Sequence, residues 1–146
     1  MELGHDYFMK QAIKQALLAF EDDEVPIGAV VVVNNQIVGK GYNQTKRLND
    51  ATAHAEMLAL TSAFNHFNTT VLDECALYVT IEPCSMCAGA IKWARLNQIV
   101  YGASEPKSGF TLYTPTLLHR KTEVISGILE TECKSLMQQF FEAKRD

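Results

Sequence analysis

The sequence predicts an α/β fold with a central mixed five-stranded sheet and helices on both faces. Three observations carry that expectation. A continuous, largely β-branched run, Ile27-Gly28-Ala29-Val30-Val31-Val32-Val33, meets Asn34-Asn35 and returns through Gln36 to Tyr42, the pattern of a hairpin. Helical and extended segments alternate after it, as strands joined by helical crossovers require. The 146 residues, 47% hydrophobic and 21% charged, suffice for one domain, residues 1–146, with its own core.

The elements follow in order. A first helix is predicted from Asp6 to Phe20, where Phe8, Met9, Ala12, Ile13, Ala16, Leu17 and Phe20 recur at helical spacing. The acidic run Glu21-Asp22-Asp23-Glu24 reads as a solvated loop. The Ile27–Val33 strand suits burial on both faces, and Asn34-Asn35 suits a tight turn because Asn tolerates positive φ. The polar stretch Asn43–Thr52 reads as a loop and Ala53–Phe67 as a helix. Cys75–Thr80 reads as a third strand. Pro83–Arg95 reads as a helix opening on its proline, a favourable first-turn residue. Gln98–Gly102 is a fourth strand, Ala103–Leu118 irregular, Glu123–Ser126 a short last strand and Leu129–Lys144 a final helix. The later strands are expected to be joined by right-handed helical crossovers.

Charge and composition exclude several roles. Lys plus Arg number 13 and Asp plus Glu 17, a net charge of -4, so a generally basic nucleic-acid coat is excluded, though a local basic patch is not. The longest apolar run is too short to span a bilayer. The N-terminus lacks the basic and apolar regions of a secretory signal, and a cytoplasmic protein is expected. In a reducing compartment the cysteines Cys75, Cys84, Cys87 and Cys133 point to metal or catalytic use rather than disulfides.

Two short patterns carry chemistry: His54-Ala55-Glu56 and Pro83-Cys84-Ser85-Met86-Cys87, each opening a predicted helix. Zinc favours Cys and His in tetrahedral geometry, and a catalytic zinc keeps one position for water. His54, Cys84 and Cys87 supply three ligands. Cys84 and Cys87, three apart, share one face of a first helical turn, where the helix N-terminus favours thiolates. Two thiolates nearly neutralise the ion, so a base beside the water is useful, and Glu56 is the best candidate. Residues two apart point to different sides of an ideal helix, so Glu56 reaches the site only if the opening turn bends that rule.

A redox Cys-x-x-Cys pair would leave the His-x-Glu pattern without a role, and a closed four-cysteine site would need Cys75 and Cys133. Those two sit in a predicted strand and an apolar helical stripe, as buried apolar fillers do. His5, His66 and His119 show no ligand pattern. Glu82, just before the cysteine motif, reads as a cap or backbone anchor.

Together the two patterns are similar to those of the zinc-dependent nucleobase deaminases, and within these the chain resembles the bacterial tRNA-specific adenosine deaminases. The resemblance rests on Glu24–Val30, Thr52–Glu56, Leu77–Cys84, Met86–Ala90, Val100–Ala103 and the terminal helix from Gly127 to Phe141. It implies a three-layer α/β/α, cytidine deaminase-like fold. It also implies hydrolytic conversion of the wobble adenosine of a tRNA anticodon to inosine, by zinc-activated water with Glu56 as proton shuttle. It places Asn43 on the target base, Ile27 and Ile81 as apolar packing on that base, Glu105 near the target nucleotide and Lys107 in an RNA-contacting loop. It further implies a homodimer.

The chain departs from the family at Ala51, where Pro is usual, at Glu105, where Asp is common, and across Phe110–His119. The middle of the chain carries a small positive excess, with Lys46, Arg47, Lys92, Arg95, Lys107, Arg120 and Lys121 as candidate phosphate contacts. Phe110 or Tyr113 offers a stacking surface for a splayed base, and Met86 and Trp93 are candidates to face a partner subunit. Two alternatives stay open: a deaminase of a free base or nucleoside such as guanine or cytosine, and a catalytically silent zinc- or RNA-binding module.

Overall fold

Asn34 and Asn35 both take positive φ, 49° and 67°, the tight turn that two asparagines favour. They join β1 (Gly28–Val33) to β2 (Gln36–Tyr42) as the expected antiparallel hairpin. The computed structural model describes residues 2–113 and 117–145. The remaining elements are α1 (His5–Glu21), α2 (Ala55–Phe67), β3 (Ala76–Ile81), α3 (Ser85–Ala94), β4 (Gln98–Ala103), β5 (Glu123–Ile125) and α4 (Glu130–Lys144).

The strands form one sheet in the order β2-β1-β3-β4-β5. β1 runs antiparallel to β2 and β3, while β3, β4 and β5 are parallel. The mixed sheet is thus a direct product of one hairpin followed by returning connections. Side chains alternate across it: Ala29, Val31, Leu77 and Val79 pack with Ala59, Leu60, Ala88 and Ile91 of α2 and α3. Val30, Val32, Tyr78 and Val100 pack with Phe8, Met9 and Ala12 of α1 and Cys133 of α4. The result is the three-layer arrangement of a cytidine deaminase-like fold.

Close approach of α2 to the hairpin depends on small residues. A Cβ added at Gly41 would lie 2.4 Å from the carbonyl oxygen of Ala55 and 2.6 Å from the backbone nitrogen of Ala59. The obstructing atoms are helix backbone and cannot swing aside. Gly41→Ala is therefore expected to destabilise the fold by about 1–3 kcal/mol, the usual range for overpacking, measured by thermal or denaturant unfolding.

Three expectations are corrected. α3 starts at Ser85 with Cys84 as its extended N-cap, so Pro83 lies ahead of the helix rather than in its first turn. The reason is a competing pairing: Pro83 O accepts the Phe110 N–H at 2.9 Å and Cys84 bridges to Gly109. α2 starts at Ala55, with His54 as its extended N-cap, because Ala53 is held in the preceding loop by bonds to Gln44 and Asp50. The connection from β4 to β5 has no α-helix among the described residues and includes a 3₁₀ turn at Phe110–Leu112. Part of the 110–119 segment, residues 114–116, lies outside the described residues.

Candidate metal centre and active site

Topology gathers the chemistry at one edge of the sheet. The carboxyl ends of β2, β3 and β4 meet the amino end of antiparallel β1, the edge where open α/β sheets bind ligands. Asn43 leaves β2, Glu82-Pro83-Cys84 leaves β3, residues 104–112 leave β4, and Val25-Pro26-Ile27 enters β1. Backbone bonds tie these exits together, Asn43 N–H to Ile27 O at 3.0 Å and Glu82 N–H to Ala103 O at 2.8 Å.

Two helix N-termini converge there. His54 caps α2 and Cys84 caps α3, and each carbonyl accepts the first helical hydrogen bond, from Leu58 and Ala88. His54 Nδ1 lies 3.6 Å from Cys84 Sγ and 3.5 Å from Cys87 Sγ. The ligand atoms of His54, Cys84 and Cys87 all lie within 4.8 Å of one another, a group able to hold a metal ion. Cys87, inside the first turn of α3, is fully buried, and Cys84 half-buried.

Glu56 joins them. It is only 3% exposed, and it lines a cavity of about 250 Å³ with Val25, Ile27, Asn43, Thr45, His54 and Ala55. The geometric difficulty of residues two apart is removed because His54 is not helical: it is the extended N-cap, and it lines the same cavity as Glu56. Burial pushes the Glu56 carboxyl up to about 7, against the opposing pull of His54 and of a hydrogen bond with Cys87. The Cys87 hydrogen bond, with His54 assisting, pulls Cys84 down to about 3, while the same bond and burial push Cys87 up. The hydrogen bond to Cys84 raises His54. A thiolate at Cys84 is thus the favoured anion of the group.

Asn43, 6% exposed, is aimed by its neighbours: its Nδ2 donates to Val25 O at 3.3 Å and its Oδ1 accepts the Thr45 N–H at 3.4 Å. One N–H and one lone pair of the amide are left over for a ligand. Val25 and Thr45 also line the cavity, unassigned by sequence reasoning. Val25 had a signal in its position within the matching Glu24–Val30 stretch, whereas Thr45 reads as an ordinary loop residue.

The remaining candidates separate. Ile27 lines the cavity, whereas Ile81 is buried among core residues on the α1 and α4 side. Glu105 turns its carboxylate onto its own loop, accepting the Lys107 N–H at 2.9 Å, and Lys107 is exposed. Phe110 is 7% exposed and packs edge-on against Tyr101, so of the two aromatics Tyr113 alone presents its ring outward. Lys46 and Arg47 engage Asp23 and Asp22 in ion pairs at 3.0 Å.

The acidic run differs from its expected solvation at Glu24. That residue is buried, and its carboxylate accepts the Lys46 and Arg47 N–H groups at 3.1 and 2.7 Å, anchoring the loop that leads to His54. Cys75 and Cys133 are buried apart from the cluster. His5 bonds the Tyr78 hydroxyl at 2.7 Å, and His119 accepts the Lys121 N–H.

A mixed three-layer sheet with His, Cys and Cys converging on a buried glutamate defines a hydrolase of the cytidine deaminase-like class. The pattern of the MafB19-like deaminases matches residues 3–145. A tRNA-specific adenosine deaminase of Agrobacterium fabrum is 41% identical over 144 residues, covering 95% of each chain. A solved chain from a study of A-to-I editing by tRNA:A34 deaminases at the wobble position is 40% identical. It superposes with a TM-score of 0.84 over 89% of this chain and 98% of its own. A guanine deaminase of Bacillus subtilis is 38% identical with a TM-score of 0.68, over 71% of this chain and 67% of its own. The chain belongs to the MafB19-like deaminase family.

Proposed function

We propose that this protein, as a single deaminase domain, hydrolyses the wobble adenosine of tRNA anticodons to inosine, with zinc held by His54, Cys84 and Cys87. The observation that carries the reading is that His54, whose ring nitrogen lies among the gathered Cys84 and Cys87 sulfurs, shares one cavity with Glu56. The near-complete match to the adenosine deaminase of Agrobacterium fabrum supports the choice of substrate.

The donor spacing fits the ion. Tetrahedral zinc, with bonds of about 2.3 Å to sulfur and about 2.0–2.1 Å to nitrogen, sets N and S about 3.6 Å apart; here they are 3.6 and 3.5 Å apart. Bound zinc supplies Lewis acidity that makes a water nucleophilic near neutral pH. Glu56 moves the protons: its carboxylate accepts one as water adds to the amino-bearing ring carbon, and returns it to the amine that departs as ammonia. Burial raises its affinity for a proton, which favours that transfer. Asn43 orients the base through its remaining amide groups, and Val25 and Ile27 supply apolar walls. The cavity is smaller than the roughly 300–1,000 Å³ typical of drug-sized ligands, as suits one flipped base with the rest of the RNA outside. The exposed Lys107, Lys92, Arg95, Arg120 and Lys121 are offered as phosphate contacts, and we assign Ile81 and Glu105 to the support of the substrate rim.

The test is conversion of tRNA transcripts bearing a wobble adenosine, digested to nucleosides and read by mass spectrometry, with free adenosine, guanine and cytosine in parallel. Inosine from the tRNA alone supports the reading. Turnover of a free base with untouched tRNA favours the second reading, free-base salvage, which the likeness to a guanine deaminase keeps in play.

Two copies are proposed to pair through α3. Its outward face runs Met86, Gly89, Ala90 and Trp93 at helical spacing, and Trp93 is 85% exposed. Light scattering is expected to give about twice the 16.3 kDa chain mass. Among the described residues no helix is long and apolar enough to cross a membrane, and we infer a cytoplasmic location from the proposed tRNA-processing role.

A further inference from the structure

Glu82 follows β3 directly and stands two residues before Cys84, yet it does not line the cavity. The residue is 4% exposed. A carboxylate removed from water is costly unless hydrogen bonds replace its hydration. Here the replacements come from one place. Oε1 accepts the Glu105 N–H at 3.0 Å, and Oε2 accepts both the Thr111 N–H at 2.9 Å and the Thr111 hydroxyl at 2.7 Å.

These partners lie at the two ends of one loop. Between them the backbone of Gly109 comes so close that an added Cβ would lie 2.2 Å from a Glu82 oxygen. Neighbouring bonds lay the same loop along the cysteine motif, Phe110 N–H to Pro83 O and Gly109 against Cys84. Held in this way, the loop presents Lys107 between its anchors and Leu112 and Tyr113 just beyond them, all exposed. A cation and an aromatic ring exposed on a loop laid along the cysteine motif are groups that grip phosphate and stack an unpaired base.

We propose that Glu82 is a positioning residue: its buried carboxylate fixes the 104–113 loop as an RNA-gripping rim, so that it acts on polynucleotide recognition and not on the chemical step. This rests on the functional reading above. Charge-assisted bonds to a carboxylate are among the stronger hydrogen bonds, and their loss leaves buried donors unpaired.

The test compares E82Q and T111V with wild type on a wobble-adenosine stem-loop, with zinc content and amide hydrogen exchange measured alongside. Glutamine keeps the shape but turns an NH₂ group toward N–H donors; T111V removes one hydroxyl from an exposed residue and keeps the fold. E82Q is expected to raise KM about tenfold or more, with a much smaller effect on kcat. T111V is expected to raise KM several-fold, and the double variant less than the product of the two, since they share a bond. Amides 105–112 should exchange faster in both, with α2 and β3 unchanged and zinc retained.

A fall in kcat at constant KM would overturn the proposal, as would faster exchange spread over the whole chain. If E82Q does not fold, T111V alone decides through the same KM and exchange readouts. A wild-type protein inert on the stem-loop would overturn the functional reading instead, while the exchange experiment still tells whether Glu82 holds the loop.

Discussion

Glu56→Gln is expected to lower kcat by about 10²–10⁴-fold, the range that positioned acid–base groups supply, while zinc stays bound. The glutamine keeps the volume and lies outside the proposed ligand group, so metal content should not change. It cannot take a proton from water and return it to the departing amine. It also removes a carboxylate whose burial raises its pKa to about 7, so the variant's melting temperature is not expected to fall. Loss of turnover with metal content and stability maintained separates a proton shuttle from a residue needed only for folding. Full activity in the variant would remove Glu56 from the mechanism.

Cys87→Ala has an effect of comparable size by a different route. It deletes a fully buried thiol 3.5 Å from His54 Nδ1, leaving two of the three donors. Removing groups that merely orient a metal's ligands already costs about 10–100-fold in affinity, so loss of a direct ligand is expected to cost at least about 100-fold. Zinc measured after dialysis against a weak chelator should fall far below one per chain, with activity falling in proportion. Because Cys87 also influences the titration of Glu56 and Cys84, the zinc measurement and not activity alone is the deciding readout. Retention of one tightly held zinc would contradict the ligand assignment.

Much of this architecture was legible from residue periodicity. The hairpin was written in a β-branched run and two asparagines, and both asparagines adopt the positive φ that their chemistry permits. The helices were written in apolar spacing. Where the reading erred, a distant segment had intervened. Pro83 has the residue type of a helical first turn, but its carbonyl pairs with Phe110, so the helix starts two residues later. Glu24 sits in an acidic run that local chemistry marks as solvated, but two amides of a loop more than 20 residues on bury it. Phe110 belongs to a loop, yet Tyr101 draws it into the core.

The metal group was legible because its spacing is itself chemical: a Cys-x-x-Cys turn and a histidine ahead of a helix leave few other uses. The reach of Glu56 was not, since it depends on His54 lying outside the helix that Glu56 begins. Glu82 was legible as a backbone anchor but not which backbone it holds, because its partners lie 23 and 29 residues away and donate mainly through N–H groups that carry no residue identity. Loop anchors of this kind become visible only when the fold brings donor and acceptor together.

The central claim is that this chain hydrolyses a wobble adenosine within RNA. The most direct test incubates the zinc-loaded protein with a single anticodon stem-loop in ¹⁸O-labelled water and analyses the digested product by mass spectrometry, with ammonia measured in the same reaction. The account predicts inosine at the wobble position alone, carrying one ¹⁸O on the ring carbon that lost its amine, and one ammonia released per inosine formed. An unaltered wobble adenosine, or an inosine whose oxygen does not come from the water, would contradict it.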